Sequence, residues 1–288
     1  MASSPGARIA ELVREVTGAI VDDRDRTLED LGVDSLAMIE VFVAADREGI
    51  DLRALGVGPG SSLDDVVRAV DEVRPAVRAL PAGGPLQGFA RAVGGPVLRW
   101  WFDLVVTGAE HVPASGPVVL AMNHEGSLDI PISVVACPRP ITFMAKRELY
   151  KNASVAWALD RLGGFRVDRD RYDLAAADVA LAVLRRGGVL GMYPEGTRAP
   201  GRLLPFLAGA AWIALAMGAP LVPCILDGTE RAREARWPRR VPIRVTFRAP
   251  IVAERVDDVR ERRTRAQRVT ADLRRVIADG LSRTDAPA

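Results

Sequence analysis

Residues 79–85 read Ala-Leu-Pro-Ala-Gly-Gly-Pro, and a second Gly-Gly-Pro follows at 94–96. Proline fixes φ and removes a backbone donor, while glycine is costly to order, so Pro and Gly at this density tend to break regular structure and suit a linker. The 288-residue chain must therefore fold on either side of it. The two sides differ in charge. Residues 1–75 hold 16 Asp/Glu and 8 Lys/Arg, a balance of −8, and the remainder carries +10. An acidic part suits a basic partner, and a basic part suits anionic lipid or phosphate. Nucleic acid competes for a basic face, but no helix-turn-helix, zinc-finger or aromatic RNA-binding signature is present, and none is expected to bind.

Before the break, apolar residues recur at helical spacing. Ile9, Leu12, Val13, Val16 and Ile20 form one stripe over 7–20, and Leu36, Ile39, Val43 and Ala44 another over 35–48, behind Asp34 or Ser35 as cap. Leu63, Val66, Val67 and Val70 form a third over 63–74, behind Ser61 and Ser62. After it, short β-rich runs at 102–107, 117–122, 140–145, 188–193, 221–226 and 242–248 alternate with helical segments such as 174–186 and 256–279. The expected fold class is α plus α/β. A small N-terminal helical bundle (6–77) leads through a Pro/Gly-rich linker and the start of an interfacial segment (78–95) to an α/β domain with a mostly parallel or mixed central sheet (96–288).

Leu203 to Leu226 is free of charge and long enough to raise the question of a membrane span. Pro205, Gly209, Gly218, Pro220 and Pro223 punctuate it, so a buried helix (206–217) followed by a core strand is expected instead. Leu86–Val106 places Phe89, Trp100, Trp101 and Phe102 beside Arg91 and Arg99, a composition that suits a membrane interface or an ordinary packing helix. The N-terminus lacks the basic start and apolar stretch of a signal peptide, so the expected location is cytoplasmic, peripheral on the inner face of the cell membrane. Cys137 and Cys224 sit in apolar runs and read as core, and with only two histidines no metal site is expected.

Leu31-Gly32-Val33-Asp34-Ser35-Leu36 resembles the phosphopantetheine attachment site of acyl carrier proteins, within an acidic helical segment covering about residues 6–77. The resemblance implies 4'-phosphopantetheine on Ser35 and a phosphopantetheinyl transferase as partner. A phosphodiester there would sit at a helix N-terminus, where free amides and the helix dipole favour negative charge. Asp-Ser ahead of a helix is also a common N-cap.

Residues 121–131 read Ala-Met-Asn-His-Glu-Gly-Ser-Leu-Asp-Ile-Pro, with His124 and Asp129 five apart. There follow Phe143-Met144-Ala145-Lys146-Arg147-Glu148-Leu149, Gly163-Gly164-Phe165-Arg166-Val167-Asp168-Arg169, Tyr193-Pro194-Glu195-Gly196-Thr197-Arg198 and Leu221-Val222-Pro223. One H-x4-D is weak evidence, but this ordered series resembles the glycerolipid acyltransferase family, whose best-known members are lysophosphatidic acid acyltransferases. Five helical steps turn about 140° past a full revolution, so one continuous helix would not face His124 toward Asp129. His124 is instead expected in a strand-to-helix turn and Asp129 in the first turn of a helix capped by Ser127. There the carboxylate would fix the imidazole tautomer and stabilise its charged form. Alone, the pair also reads as a loop histidine bonded to a capping carboxylate.

The resemblance implies that His124 takes the proton from an acceptor hydroxyl as it attacks a thioester, with backbone amides near the turn holding the oxyanion. It also implies that Glu195, Gly196, Thr197 and Arg198 shape the acceptor pocket, and that Arg198 and Arg169, helped by Lys146, bind acceptor phosphate. The donor would be Ser35-bound pantetheine, another acyl carrier protein or acyl-CoA. The partners would be an acyl-loading enzyme or acyl carrier protein, an anionic membrane surface and a lipid-like acceptor. Two departures stand out: the run Phe206-Leu207-Ala208-Gly209 lacks the basic residue many relatives place after the phenylalanine, and position 125 carries Glu. Both reduce positive charge, leaving room for an uncharged alcohol or amine beside lysophospholipid or glycerol phosphate acceptors. A membrane-bound carrier scaffold without transferase activity is the non-enzymatic alternative.

Overall fold

The apolar runs of the second part become buried strands of a seven-stranded sheet in the computed structural model. The structure describes residues 87–146, 150–167, 174–234, 241–251 and 254–284, with residues 26–31, 60–71 and scattered positions between 7 and 57 in the first part. The strands are β1 (Leu104–Thr107), β2 (Val118–Met122), β3 (Ile141–Lys146), β4 (Gly164–Val167), β5 (Val189–Met192), β6 (Leu221–Asp227) and β7 (Ile243–Phe247). Their order is β1-β7-β6-β2-β5-β3-β4. The pairs β6–β2, β2–β5 and β5–β3 are parallel, as is β1–β7, while β7 is antiparallel to β6. The sheet is mixed, and α/β as expected. All five residues of β2 are buried, as a strand covered on both faces requires.

The helices are α1 (Leu63–Asp71), α2 (Gln87–Phe89), α3 (Gly95–Phe102), α4 (Asp129–Ala136), α5 (Ala153–Arg161), α6 (Leu174–Arg185), α7 (Gly209–Met217) and α8 (Val259–Thr284). The chain divides into two compact units, one built mainly on Met1–Leu80 and the other mainly on Pro81–Arg166, Ala182–Asp257 and Glu261–Ala288.

In the first unit Ile9, Val13, Leu28, Leu31, Val33, Ala37, Val41, Leu63 and Val66 form one buried cluster. α1 begins with a side-chain cap: Asp65 N donates to Ser62 Oγ at 3.1 Å, and the hydroxyl returns a bond to Asp65 Oδ2 at 2.8 Å. Of the other two expected helices, residues 7, 9–11, 13–14, 37, 40–41 and 45 are helical, and the remaining positions lie outside the described residues.

In the second unit the uncharged stretch from Leu203 divides as its glycines and prolines demand. The helix starts at Gly209 rather than 206, stops at Gly218 in the left-handed conformation, and is followed by β6. α7 is buried along its length, and Arg262 of α8, 2% exposed, lies over Trp212 at 5.1 Å and donates to the carbonyls of Val256 and Asp257. No helix among the described residues is long and apolar enough to cross a membrane.

The Leu86–Val106 segment becomes α2, a π-helical turn (Ala90–Gly94), α3 and β1. Its inner side is held by polar groups. Buried Gln87 donates Nε2 to the carbonyls of Ile141 and Leu162 and accepts the amide of Ile141, serving the backbone as an extra strand residue would, while Arg91 Nε donates to Val134 O. Its outer side exposes Phe89, Val93, Val97, Trp100 and Trp101. A strand at 164–167 was not expected; that stretch had been read only as part of a motif.

Candidate active site

Three adjacent parallel strands, β6, β2 and β5, end at one edge of the sheet, the position at which open α/β sheets hold their ligands. β2 runs directly into Asn123-His124, β5 into Tyr193-Pro194-Glu195, and β6 into Gly228-Thr229-Glu230. The turn after β2 is tied on every side. Asn123, 1% exposed, donates Nδ2 to Leu226 O at 2.7 Å and accepts Leu226 N at 2.8 Å, so its amide extends the pairing of β2 with β6. His124 N donates to Glu195 Oε1 at 2.8 Å, and His124 O accepts Ala199 N at 2.9 Å.

His124 Nδ1 lies 2.6 Å from Asp129 Oδ2. The carboxylate can only accept, so Nδ1 carries the proton and Nε2 presents its lone pair. The same Oδ2 accepts the amides of Glu125 at 2.8 Å and Gly126 at 3.0 Å. Asp129 is fully buried and His124 is 16% exposed at the side chain. The imidazole stacks on Tyr193 with centroids 4.2 Å apart, and Tyr193 in turn lies parallel to Phe143. Burial, then the Asp129 charge, pushes the Tyr193 phenol well above its ordinary range, so it stays neutral beneath the histidine.

Two details differ from expectation. Ser127 does not cap α4: Leu128 occupies the N-cap without a side-chain bond, and the Asp129 carboxylate reaches back to the amides of the preceding turn. Those amides, with that of His124, are thereby engaged, so backbone N–H groups of residues 124–126 do not hold an oxyanion.

Glu125 is 9% exposed and faces acidic company. Its carboxyl is pushed up to about 9, first by burial and then by Glu230, to which it hydrogen-bonds, with Asp129 and Asp227 adding negative charge. Two carboxylates cannot bond unless one holds a proton; Glu125 holds it, and Glu230, whose carboxyl is held below its ordinary range, against the pull of burial, by that bond and by Arg231, accepts it as the ionised partner. A half-open pocket of about 270 Å³ lies here, lined by Glu125, Gly126, Ser127, Arg198, Thr229 and Glu230 among others. Gly126 is required by close approach: a Cβ there would stand 2.6 Å from the Thr229 carbonyl oxygen.

The structure brings together His124, Asp129, Glu195, Gly196, Thr197 and Arg198. Glu195 is 7% exposed and spends both oxygens on backbone amides, His124 N and Leu204 N, so it shapes the site by holding the turn rather than by touching a ligand. Gly196 makes the turn after β5 at φ +70, and Thr197 and Arg198 are exposed. Lys146 ends β3, with its side chain outside the description; Arg169 and Ser35 lie outside the described residues. Among the described residues no cluster of three or more His, Cys, Asp or Glu could hold a metal ion. Sequence reasoning missed Asn123, Tyr193 and Glu230 as parts of the site. The first two sit inside the quoted motifs and were available to it.

The acyltransferase family model matches residues 103–227, which contain this site, and the phosphopantetheine attachment site model matches residues 7–69. Along the chain, a region that matches a phosphopantetheine attachment site model thus precedes a region that matches the acyltransferase family model. The chain is 33% identical over 126 residues to the 1-acyl-sn-glycerol-3-phosphate acyltransferase of Bacillus subtilis (strain 168), covering 43% of this chain and 63% of that protein. With the 1-acyl-sn-glycerol-3-phosphate acyltransferase alpha of Homo sapiens it shares 35% over 126 residues, 42% of this chain and 44% of the other. The chain therefore spans less than two thirds of the length of these relatives. The crystal structure of the 1-acyl-sn-glycerophosphate (LPA) acyltransferase, PlsC, from Thermotoga maritima shares the fold, with a TM-score of 0.56 at 19% identity over 99% of both chains.

Proposed function

We propose that residues 96–288 transfer a fatty acyl group from a thioester to a hydroxyl of a lysophospholipid, glycerol phosphate or related lipid-like acceptor. The observation that carries this is the His124 Nδ1–Asp129 Oδ2 bond of 2.6 Å, with a fully buried carboxylate and an imidazole left partly open. His124 Nε2 takes the acceptor proton as the acceptor oxygen bonds to the thioester carbonyl carbon. The C–S bond then breaks, and the departing thiolate takes a proton back. Asp129 holds the tautomer and stabilises the imidazolium formed in between. A thioester is already activated, so no covalent nucleophile of the protein is needed. Arg198, with Arg169 and Lys146, binds acidic groups of the acceptor; Glu195, Gly196 and Thr197 fix the loop that carries Arg198.

Residues 6–77 act in this reading as carrier, joined through 78–95. Val33 and Ala37, two residues before and after Ser35 in sequence, belong to the buried core of the first unit. Phosphopantetheine on Ser35, added by a phosphopantetheinyl transferase, supplies the thiol that carries an acyl group as a thioester. Tethering raises the local donor concentration; acyl-CoA and separate carriers are the other donors. The exposed Phe89, Val93, Val97, Trp100 and Trp101 support peripheral binding to an anionic membrane, on its cytoplasmic face. The test is acyl transfer to lysophosphatidate in mixed micelles, beside His124→Ala and Ser35→Ala. Loss in His124→Ala and loss of self-loading in Ser35→Ala, read by intact mass, are expected. Undiminished transfer by His124→Ala would sink the catalytic reading, and an unchanged loaded mass in Ser35→Ala the carrier reading.

A further inference from the structure

The pocket beside the catalytic turn has a polarity that an anionic headgroup alone does not match. On one side stand Glu125 and Glu230, two carboxyls sharing one proton, and on the other the exposed Arg198, which has no ion pair or hydrogen bond among the described residues. Glu230 gives Oε1 to Arg231 Nε at 3.0 Å and keeps a buried Oε2 that receives no N–H. Thr229 lines the same pocket, is 2% exposed, and its buried Oγ1 has no partner among the described residues. The Thr229 hydroxyl, buried without a partner among the described residues, is costly unless a ligand completes it, and Glu230 Oε2 depends on the proton held by Glu125. His124 does not line the pocket, which begins one residue further on. The pocket therefore holds the acceptor's head and not its reacting hydroxyl.

Resting on the acyltransferase reading above, we infer that this pocket selects a zwitterionic acceptor headgroup, its ammonium seated against Glu125, Glu230 and Thr229 and its acidic group at Arg198. An ammonium brings an N–H donor to Thr229 Oγ1 and stands in for the proton shared by Glu125 and Glu230, which Glu125 releases to solvent as the cation arrives. The acidic group satisfies the guanidinium, which matches phosphate or carboxylate oxygens. A dianionic phosphate alone would answer Arg198 but would bring no donor to Thr229 and would face the carboxyl pair.

Two measurements on the full chain test this. The first is kcat/KM for lysophosphatidylethanolamine against lysophosphatidate of the same acyl chain, in wild type, Glu125→Gln and Glu230→Gln. The wild type is expected to favour the zwitterion by about tenfold or more, since a hydrogen-bonded charge is worth that much, and Glu125→Gln, which keeps shape but cannot ionise, to lose most of that ratio. A wild-type preference for lysophosphatidate, or a ratio unmoved in both variants, overturns the inference. The second is calorimetric binding of O-phosphoethanolamine against glycerol 3-phosphate by the His124→Ala protein, which needs no turnover. Tighter binding of phosphoethanolamine, weakened by adding Glu125→Gln, supports the headgroup site even if neither lipid is acylated. Equal or reversed binding refutes it, whatever the fate of the acyltransferase reading.

Discussion

Asp129→Asn is the perturbation that most directly tests the chemistry of the turn. Oδ2 now collects three N–H groups, from His124 at 2.6 Å, Glu125 at 2.8 Å and Gly126 at 3.0 Å. If the asparagine NH2 took that place it would face three donors, so the amide oxygen must occupy it. The NH2 then lies where Oδ1 is, buried and without a partner among the described residues. An unsatisfied buried donor costs about 1–3 kcal/mol, so the variant should fold with reduced stability. The larger loss is in the reaction. An imidazolium facing a neutral amide forgoes the attraction of a unit charge about 4 Å away, about 4 kcal/mol at an effective dielectric of about 20. At 1.36 kcal/mol per decade that is about 10³ in rate, and comparable His–carboxylate pairs lose about 10⁴. Thiol release from acyl-CoA in the presence of a single-chain acceptor, followed with a thiol reagent, should fall by about 10³–10⁴ in kcat/KM. A circular-dichroism melt run in parallel separates this from unfolding. A folded Asp129→Asn enzyme within about tenfold of wild type would refute the role given to the carboxylate.

Other perturbations probe the scaffold. In Gly126→Ala the new methyl would stand 2.6 Å from Thr229 O and 2.9 Å from its carbonyl carbon, backbone atoms that cannot swing aside. Activity should drop at least about tenfold as the turn shifts, and wild-type kinetics would show that the turn is not held by this contact. Gln87→Leu would strip partners from Ile141 N, Ile141 O and Leu162 O, lowering stability by about 2–4 kcal/mol in denaturant titration; a change under about 0.5 kcal/mol would discount the clasp. Glu125, displaced from 4.5 to about 9, holds a proton when folded that the unfolded chain gives up above 4.5. Its contribution is therefore full below about 4.5 and is lost as pH rises toward about 9. The wild-type melting temperature should fall relative to Glu125→Gln across that window, and a constant difference would rule out the buried acid.

The large features were legible in the sequence because they depend on near neighbours. Runs such as Val118–Met122 announce a strand buried on both faces, and the glycines and prolines of 203–226 separate α7 from β6. The placement of His124 in a turn and Asp129 at a helix start followed from the rotation of five helical steps. What was hidden depends on distant partners. Asn123 acts on Leu226 and Glu195 on His124, pairings set by strand order rather than by spacing along the chain. β4 was missed because four residues behind two glycines offer too short a pattern to distinguish a strand from a turn. Ser127 reads as a cap because serine is a common one; α4 instead starts one residue later behind Leu128, and the Asp129 carboxylate turns back to His124 and the amides of 125 and 126. Glu125 was noticed for its charge, but the sequence does not show that Glu230, arriving from β6, makes it hold a proton.

The turn after β2 separates what must stay fixed from what is free to differ. His124 is held through backbone and ring: its amide by Glu195, its carbonyl by Ala199, its Nδ1 by Asp129 and its face by Tyr193. Residues 125 and 126 join this frame through their backbone amides. The Glu125 side chain contributes nothing to holding the histidine; it points its chemistry to the pocket and to Glu230. Under the proposed headgroup reading, a change at 125 is expected to alter which head the pocket accepts while leaving the His124–Asp129 geometry in place, whereas a change at 123, 126, 129 or 195 disturbs that geometry itself. Exchange of Glu125 for a neutral or basic residue is thus expected to shift acceptor preference without loss of transfer, read as kcat/KM for the two lysophospholipids, and loss of transfer in a folded variant would refute this separation.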